Sequence, residues 1–148
     1  MEYLVPVFGL IALLFAYYLT VRVKRAEIGT PKMKEISEAI HEGAMAFLTK
    51  EYRYLFVFVA LMVVLLLIVG FYADNMEPTT AISYVLGAIA SILAGWFGMN
   101  VATKANVRTA NAARKSANEA LGIAFSGGAV MGMSVVGLGL LGLGIVNL

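Results

Sequence analysis

The sequence predicts an all-α, polytopic membrane protein, in which four transmembrane helices carry long helical extensions at one membrane surface. Three observations predict it. Of 148 residues, 61% are hydrophobic and 14% charged, far more apolar than a single soluble core of that length can hide. Four stretches contain no Asp, Glu, Lys or Arg, and each is about as long as the ~20 residues a helix needs to cross hydrocarbon. All 11 Lys and Arg residues fall in two of the regions between those stretches. The runs are continuously apolar instead of alternating, and lipid offers no partner to an unpaired backbone group, so helices are indicated rather than strands.

The first span is expected at 3–21. Glu2 precedes it, a basic cluster follows it and no small-residue cleavage site ends it, so it reads as a retained helix and not a cleaved signal. Gly29-Thr30-Pro31 then reads as a stop followed by a start, with Thr30 capping and Pro31 suited to a first helical turn. Ile36, Ile40, Gly43 and Phe47 share one face, while Glu35, Glu38, Glu42 and Lys50 lie around the others. That pattern predicts an amphipathic helix running straight into a second span at 54–73. Asp74-Asn75-Met76-Glu77-Pro78 is a turn leading to a third span at 79–103. Residues Lys104 to Glu119 are rich in Ala and Asn and lack Gly and Pro, so they should be largely helical too. A fourth span follows at 120–147. No linker or low-complexity tract divides the chain, which reads as one unit over 1–148.

Charge placement orients these elements. Arg22, Lys24, Arg25, Lys32, Lys34, Lys50 and Arg53 lie in 22–53, and Lys104, Arg108, Arg114 and Lys115 lie in 104–119. The opposite side carries only Glu2, Asp74 and Glu77. The positive-inside bias therefore makes 22–53 and 104–119 cytoplasmic and places the N-terminus outside a cell membrane. A net charge of +2 gives no sign of a nucleic-acid partner. With no cysteine, disulfides, thiolate metal sites and cysteine nucleophiles are absent together.

Each constellation that invites a functional reading has a plainer one. Gly87, Ser91 and Gly95, and likewise Gly128 and Gly132, recur at the spacing that lets membrane helices approach closely, and Gly137, Gly139, Gly142 and Gly144 extend the pattern. Ser126-Gly127-Gly128 has no Lys-Ser or Lys-Thr behind it and sits in an apolar helix, so it is not a phosphate loop. His41, beside Glu42 and near Glu38, lacks a second ligand at metal spacing and is expected at a surface or interface. The basic residues of 104–119 could hold an anion such as a phosphate or lipid headgroup, although topology explains them more cheaply. Carriers and pumps place an ionisable group at membrane depth, and none of the four spans has one. Asp74 is the sole aspartate, so the clustered carboxylates of Mg²⁺-phosphate chemistry are missing. No catalytic, substrate-binding or metal residue is expected here. The apolar run continues to Leu148 with no charged stop, which points to a piece of a longer chain.

Three stretches carry a resemblance. Met33-Lys34-Glu35-Ile36-Ser37, continuing through Ile40-His41-Glu42-Gly43-Ala44 to Phe47-Leu48 and Glu51-Tyr52, resembles the first cytoplasmic helix of the membrane-bound, ion-pumping pyrophosphatases. Gly95-Trp96-Phe97-Gly98-Met99 followed by Ala102-Thr103-Lys104-Ala105-Asn106-Val107-Arg108-Thr109 and Ala112-Ala113-Arg114 is similar to their third span and its exit. Ala124-Phe125-Ser126-Gly127-Gly128-Ala129-Val130-Met131-Gly132 resembles their fourth. The resemblance implies the N-terminal part of a sixteen-helix bundle and a homodimeric enzyme. Such an enzyme hydrolyses pyrophosphate with Mg²⁺, in some members with K⁺, and moves H⁺ or Na⁺ outward across the bilayer. The family's D-x-x-x-D-x-x-x-K and D-x-x-x-D-x-x-x-D signatures do not occur in this sequence, so none of its catalytic, metal or gate residues carries over.

Two other readings remain at this point: a complete four-span scaffold or accessory protein, and a four-span exporter, which the missing intramembrane charge disfavours. The orientation can be tested directly because the chain has no native cysteine. Lys24→Cys and Lys104→Cys should resist a membrane-impermeant thiol reagent added outside intact cells; labelling from outside at either position inverts the topology.

Overall fold

The computed structural model describes residues 4–72 and 79–146 and consists of four helices with short connections. They are α1 (Leu4–Arg25), α2 (Pro31–Tyr72), α3 (Thr79–Ala113) and α4 (Ala117–Val146), and no strand occurs among the described residues. All four are long and apolar enough to cross a membrane. The expected turn at Asp74 to Pro78 lies outside the described residues.

Local chemistry sets the helix ends. Gly29 has φ 97°, a left-handed conformation that a side chain resists, and it closes the connection after α1. The Thr30 hydroxyl accepts the Met33 N–H at 3.3 Å, its carbonyl accepts the Lys34 N–H at 3.1 Å, and Pro31 opens α2. The region from Lys104 to Glu119 is helical except for a tight break. α3 stops at Ala113, the Lys115 N–H closes a turn on the Ala112 carbonyl at 2.9 Å, and the Ser116 hydroxyl caps α4 by accepting the Glu119 N–H at 3.2 Å. Ser116-Ala117-Asn118-Glu119 has the sequence form of a capping box.

Packing follows a spacing of alternating three and four residues, which keeps a seam on one side of a helix. On α1 the buried residues are Gly9, Ala12, Ala16, Leu19 and Val23. On α4 the series is Gly127, Val130, Ser134, Gly137 and Gly144, and on α3 it is Ala94, Gly98, Val101, Ala105 and Ala112. Leu19, Val23, Val101, Ala105 and Val130 meet as the core where α1, α3 and α4 converge. At the other end α1 and α4 touch through their backbones: a Cβ on Gly9 would lie 2.9 Å from the Gly137 carbonyl oxygen, and one on Gly137 would lie 2.7 Å from Leu13 Cδ2. A Cβ on Gly127 would meet Ala105 Cβ at 2.7 Å.

Only some of the glycines in the stripes read in the sequence therefore pack within this chain. Gly87, Gly128 and Gly132 face open space within this chain, as do Gly139 and Gly142, and Gly95 nears only the Tyr52 hydroxyl. The reason is rotational. Gly128 follows the seam position Gly127 by one residue, about 100° around a helix of 3.6 residues per turn, and Gly132, four residues further on, stays on the same side as Gly128. Gly137 and Gly144 do occupy the seam.

α2 stands largely apart. Leu48 is its one buried residue among those described, and its apolar half leaves Phe56, Leu61, Leu65 and Phe71 exposed. Polar contacts tie it to α3: the Tyr52 hydroxyl donates to the Ile92 carbonyl at 2.9 Å, and His41 reaches Thr103. A helix among lipid tails gains little by hiding apolar side chains, so such exposure is stable in a bilayer.

The Gly137 contact yields a prediction. Gly137→Leu in the full-length protein should cost about 1–3 kcal/mol, the scale of overpacking a close-packed interface, whereas Gly139→Ala should cost far less. Thermal unfolding in detergent reads both, and equal midpoints would remove the α1–α4 contact from its central place.

Candidate functional site

The densest set of polar interactions sits at the basic end of the bundle, around the end of α1. A helix leaves its last carbonyls without intrahelical partners and concentrates partial negative charge there. α3 supplies donors to the carbonyls that immediately follow α1. Arg108 Nε donates to the Ala26 carbonyl at 3.0 Å and its Nη1 donates to the Lys104 carbonyl at 2.7 Å. Asn111 Nδ2 donates to the Glu27 carbonyl at 3.3 Å, and Lys115 Nζ meets the Glu27 carboxylate at 3.2 Å. Burial pushes the Arg108 guanidinium below its ordinary pKa, yet arginine keeps its charge in proteins. A Cβ at Gly29 would lie 2.6 Å from Asn111 Oδ1, so this glycine admits the α3 side chain as well as the turn.

A cavity of about 250 Å³ lies here, lined by Arg25, Glu27, Arg108, Asn111, Lys115 and Glu119. Its cations are largely engaged: Arg108 serves backbone carbonyls and Lys115 serves Glu27. The arrangement is suited to clamping the α1–α2 connection onto α3. Two of the basic residues read as anion-holding in the sequence are thus committed to their own chain.

His41 occupies an interface. Its Nδ1 lies 2.8 Å from the Thr103 hydroxyl, and that hydroxyl lies 3.0 Å from the Met99 carbonyl. With the single hydroxyl proton directed at the helix carbonyl, the network assigns a proton to Nδ1, which donates to Thr103 Oγ1.

The described residues do not fit a Mg²⁺ site. Among the described residues, no group of three or more His, Cys, Asp or Glu is placed to hold a metal ion. Glu35, Glu38 and Glu27 instead pair with Lys32, Lys34 and Lys115 at 2.8, 3.7 and 3.2 Å. Hydroxyls in the apolar helices bond to their own backbones, Ser126 to the Gly122 carbonyl at 2.7 Å and Ser83 to the Thr79 carbonyl at 2.9 Å.

Fold and site together define a multi-pass membrane protein whose polar side chains secure helix ends and helix contacts. The family model for the inorganic H⁺ pyrophosphatases matches residues 10–148, and the chain belongs to that family. A Clostridium tetani relative, named for K⁺-stimulated, pyrophosphate-energized sodium pumping, is 57% identical over 124 residues, covering 83% of this chain and 17% of its own length. A K⁺-insensitive pyrophosphate-energized proton pump of Moorella thermoacetica is 43% identical over 127 residues, covering 86% of this chain and 18% of its own. One of the same description from Methanosarcina mazei is 42% identical over 125 residues, or 84% and 18%. The chain therefore spans less than a fifth of the length of these relatives.

The clamp is open to test. Arg108→Leu leaves the Ala26 carbonyl without its donor, and should cost about 1–3 kcal/mol, the scale of an unsatisfied buried group. Limited proteolysis of the full-length protein near residues 26–30 should accelerate; unchanged cleavage would show the contact to be dispensable.

Proposed function

We propose that this chain is the N-terminal scaffold portion of a membrane pyrophosphatase that couples hydrolysis of cytoplasmic inorganic pyrophosphate to outward movement of H⁺ or Na⁺. The observation that carries the reading is the family match over residues 10–148, joined to relatives named as pyrophosphate-energized pumps. The polar groups of the clamp, of the α2–α3 contact and of the α4 cap are compatible with it, because they are engaged in packing and capping. In this reading the spans at 3–21, 54–73, 79–103 and 120–147 are an outer part of a sixteen-helix bundle, and the whole protein is a homodimer. The N-terminus lies outside, and the clamp around Arg108 faces the cytoplasm.

Mg²⁺ bound elsewhere in the protein would draw charge from the phosphate oxygens during hydrolysis. In this reading the residues of this chain hold α1, α2 and α3 in register as scaffold, and none of the four uncharged stretches carries an Asp, Glu, Lys or Arg that would relay an ion. The relatives' names divide between a K⁺-stimulated sodium pump and K⁺-insensitive proton pumps, which makes alkali-cation dependence the first property to measure.

Membrane vesicles holding the full-length protein should hydrolyse pyrophosphate in the presence of Mg²⁺ and acidify or load Na⁺ as they do so. Residues 1–148 expressed alone should show no hydrolysis above background. Activity of the isolated segment would sink the scaffold assignment, and failure of the full-length protein to release phosphate would sink the enzymatic one.

A further inference from the structure

A second cavity, of about 540 Å³, opens between α1, α3 and α4 near the basic end of the bundle. Two ladders of side chains line it. On α1 they are Tyr17, Thr20 and Lys24; on α3 they are Phe97, Asn100 and Lys104. The spacing is the same on both helices, three residues and then four, and α1 and α3 both lead toward the basic end in chain order. Each therefore presents aromatic ring, neutral polar group and ammonium in the same sequence along one groove. Trp96 adds a third ring at the aromatic level, and Leu13, Val130 and Leu138 line the groove as apolar wall.

That order is the polarity gradient of a bilayer surface. Aromatic rings favour the hydrocarbon boundary, and lysines favour the phosphate level. Seven residues of helix rise about 10 Å, of the same order as the interfacial layer of roughly 5–8 Å on each side of the hydrocarbon. The lysines also lack partners. Neither Lys24 nor Lys104 joins any ion pair among the described residues, although Lys104 is half-buried, and no hydrogen bond there engages the Asn100 amide. Their clamp neighbours Arg108 and Lys115, by contrast, are satisfied by the chain itself. Two unpaired ammonium groups at the mouth of an apolar groove call for an anion with a hydrocarbon tail.

We propose that this groove binds one anionic phospholipid, with its phosphate between Lys24 and Lys104, the Asn100 amide near its ester region and an acyl chain along Leu13, Val130 and Leu138. Its assignment to the cytoplasmic leaflet rests on the orientation proposed above, whereas the chemistry of the groove does not. The lipid would join α1 to α3 on the side where, among the described residues, they have no direct polar bond within the spans.

The test uses the full-length protein carrying a photo-crosslinking amino acid in place of Thr20, reconstituted in vesicles of equal phosphatidylglycerol and phosphatidylcholine. Mass spectrometry after illumination should find phosphatidylglycerol adducts in excess by about fivefold or more, the scale of one lysine's attraction to anionic lipid. Lys24→Gln with Lys104→Gln should bring the ratio to near one with the melting temperature little changed, and Lys50→Gln should leave it intact. Equal adducts in the otherwise unchanged protein, a preference that persists in the double variant, or a crosslink to another part of the polypeptide would each overturn the proposal. Pyrophosphate hydrolysis measured in the same vesicles is a separate readout: its absence alongside a retained lipid preference counts against the enzymatic reading alone.

Discussion

The structure depends on how closely α1 and α4 approach. Where Gly9 faces Gly137 the distance is set by backbone and not by side chains, since a single Cβ on either would intrude on the other helix. Lipid tails are as apolar as leucine, so nothing like the hydrophobic effect draws these helices together; close contact and the dispersion it permits must do so. The approach also fixes the rotation of α1. Once Gly9 is against α4, the same seam carries Ala16 and Val23 inward, and the end of α1 arrives where Arg108 and Asn111 of α3 can reach its carbonyls. The polar clamp is thus a consequence of the apolar seam and not an independent feature.

The two kinds of contact divide the molecule by solvent. In the apolar helices the Ser83 and Ser126 hydroxyls return to their own helix, and Tyr52 crosses to one neighbouring carbonyl at Ile92. At the basic end, where water is available, charged groups cap helices and pair across connections. α2 shows the division within a single helix. Its first half bears paired charges and the His41 contact, while its second half offers exposed side chains to whatever surrounds it.

Much of the fold was legible because membrane helices announce themselves by length and by the absence of charge. The stop at Gly29 and start at Pro31 were equally plain, since each residue type has one backbone reason to be there. The choice of packing glycines was not. Gly127 and Gly128 are adjacent, and composition alone does not say which of the two meets Ala105; the alternating three-four spacing of Gly127, Val130, Ser134 and Gly137 was the signal to weigh. The break at Arg114 to Ser116 was also readable, from a serine three residues ahead of a glutamate in an otherwise helical stretch. The link between His41 and Thr103 joins residues 62 positions apart and leaves no local trace. Arg108 was read as topology because a positive charge near a membrane has that general explanation; its specific partner is a carbonyl that only the folded chain brings near.

α2 has a mechanical consequence. It is one unbroken helix of 42 residues, about 63 Å long at 1.5 Å per residue, roughly twice the thickness of the hydrocarbon layer. It is fastened to α3 at two separate points, His41 and Tyr52, and two such points fix its tilt against α3 where one would leave it free to swing. Because no break interrupts it, its charged half and its apolar half form a single rigid element.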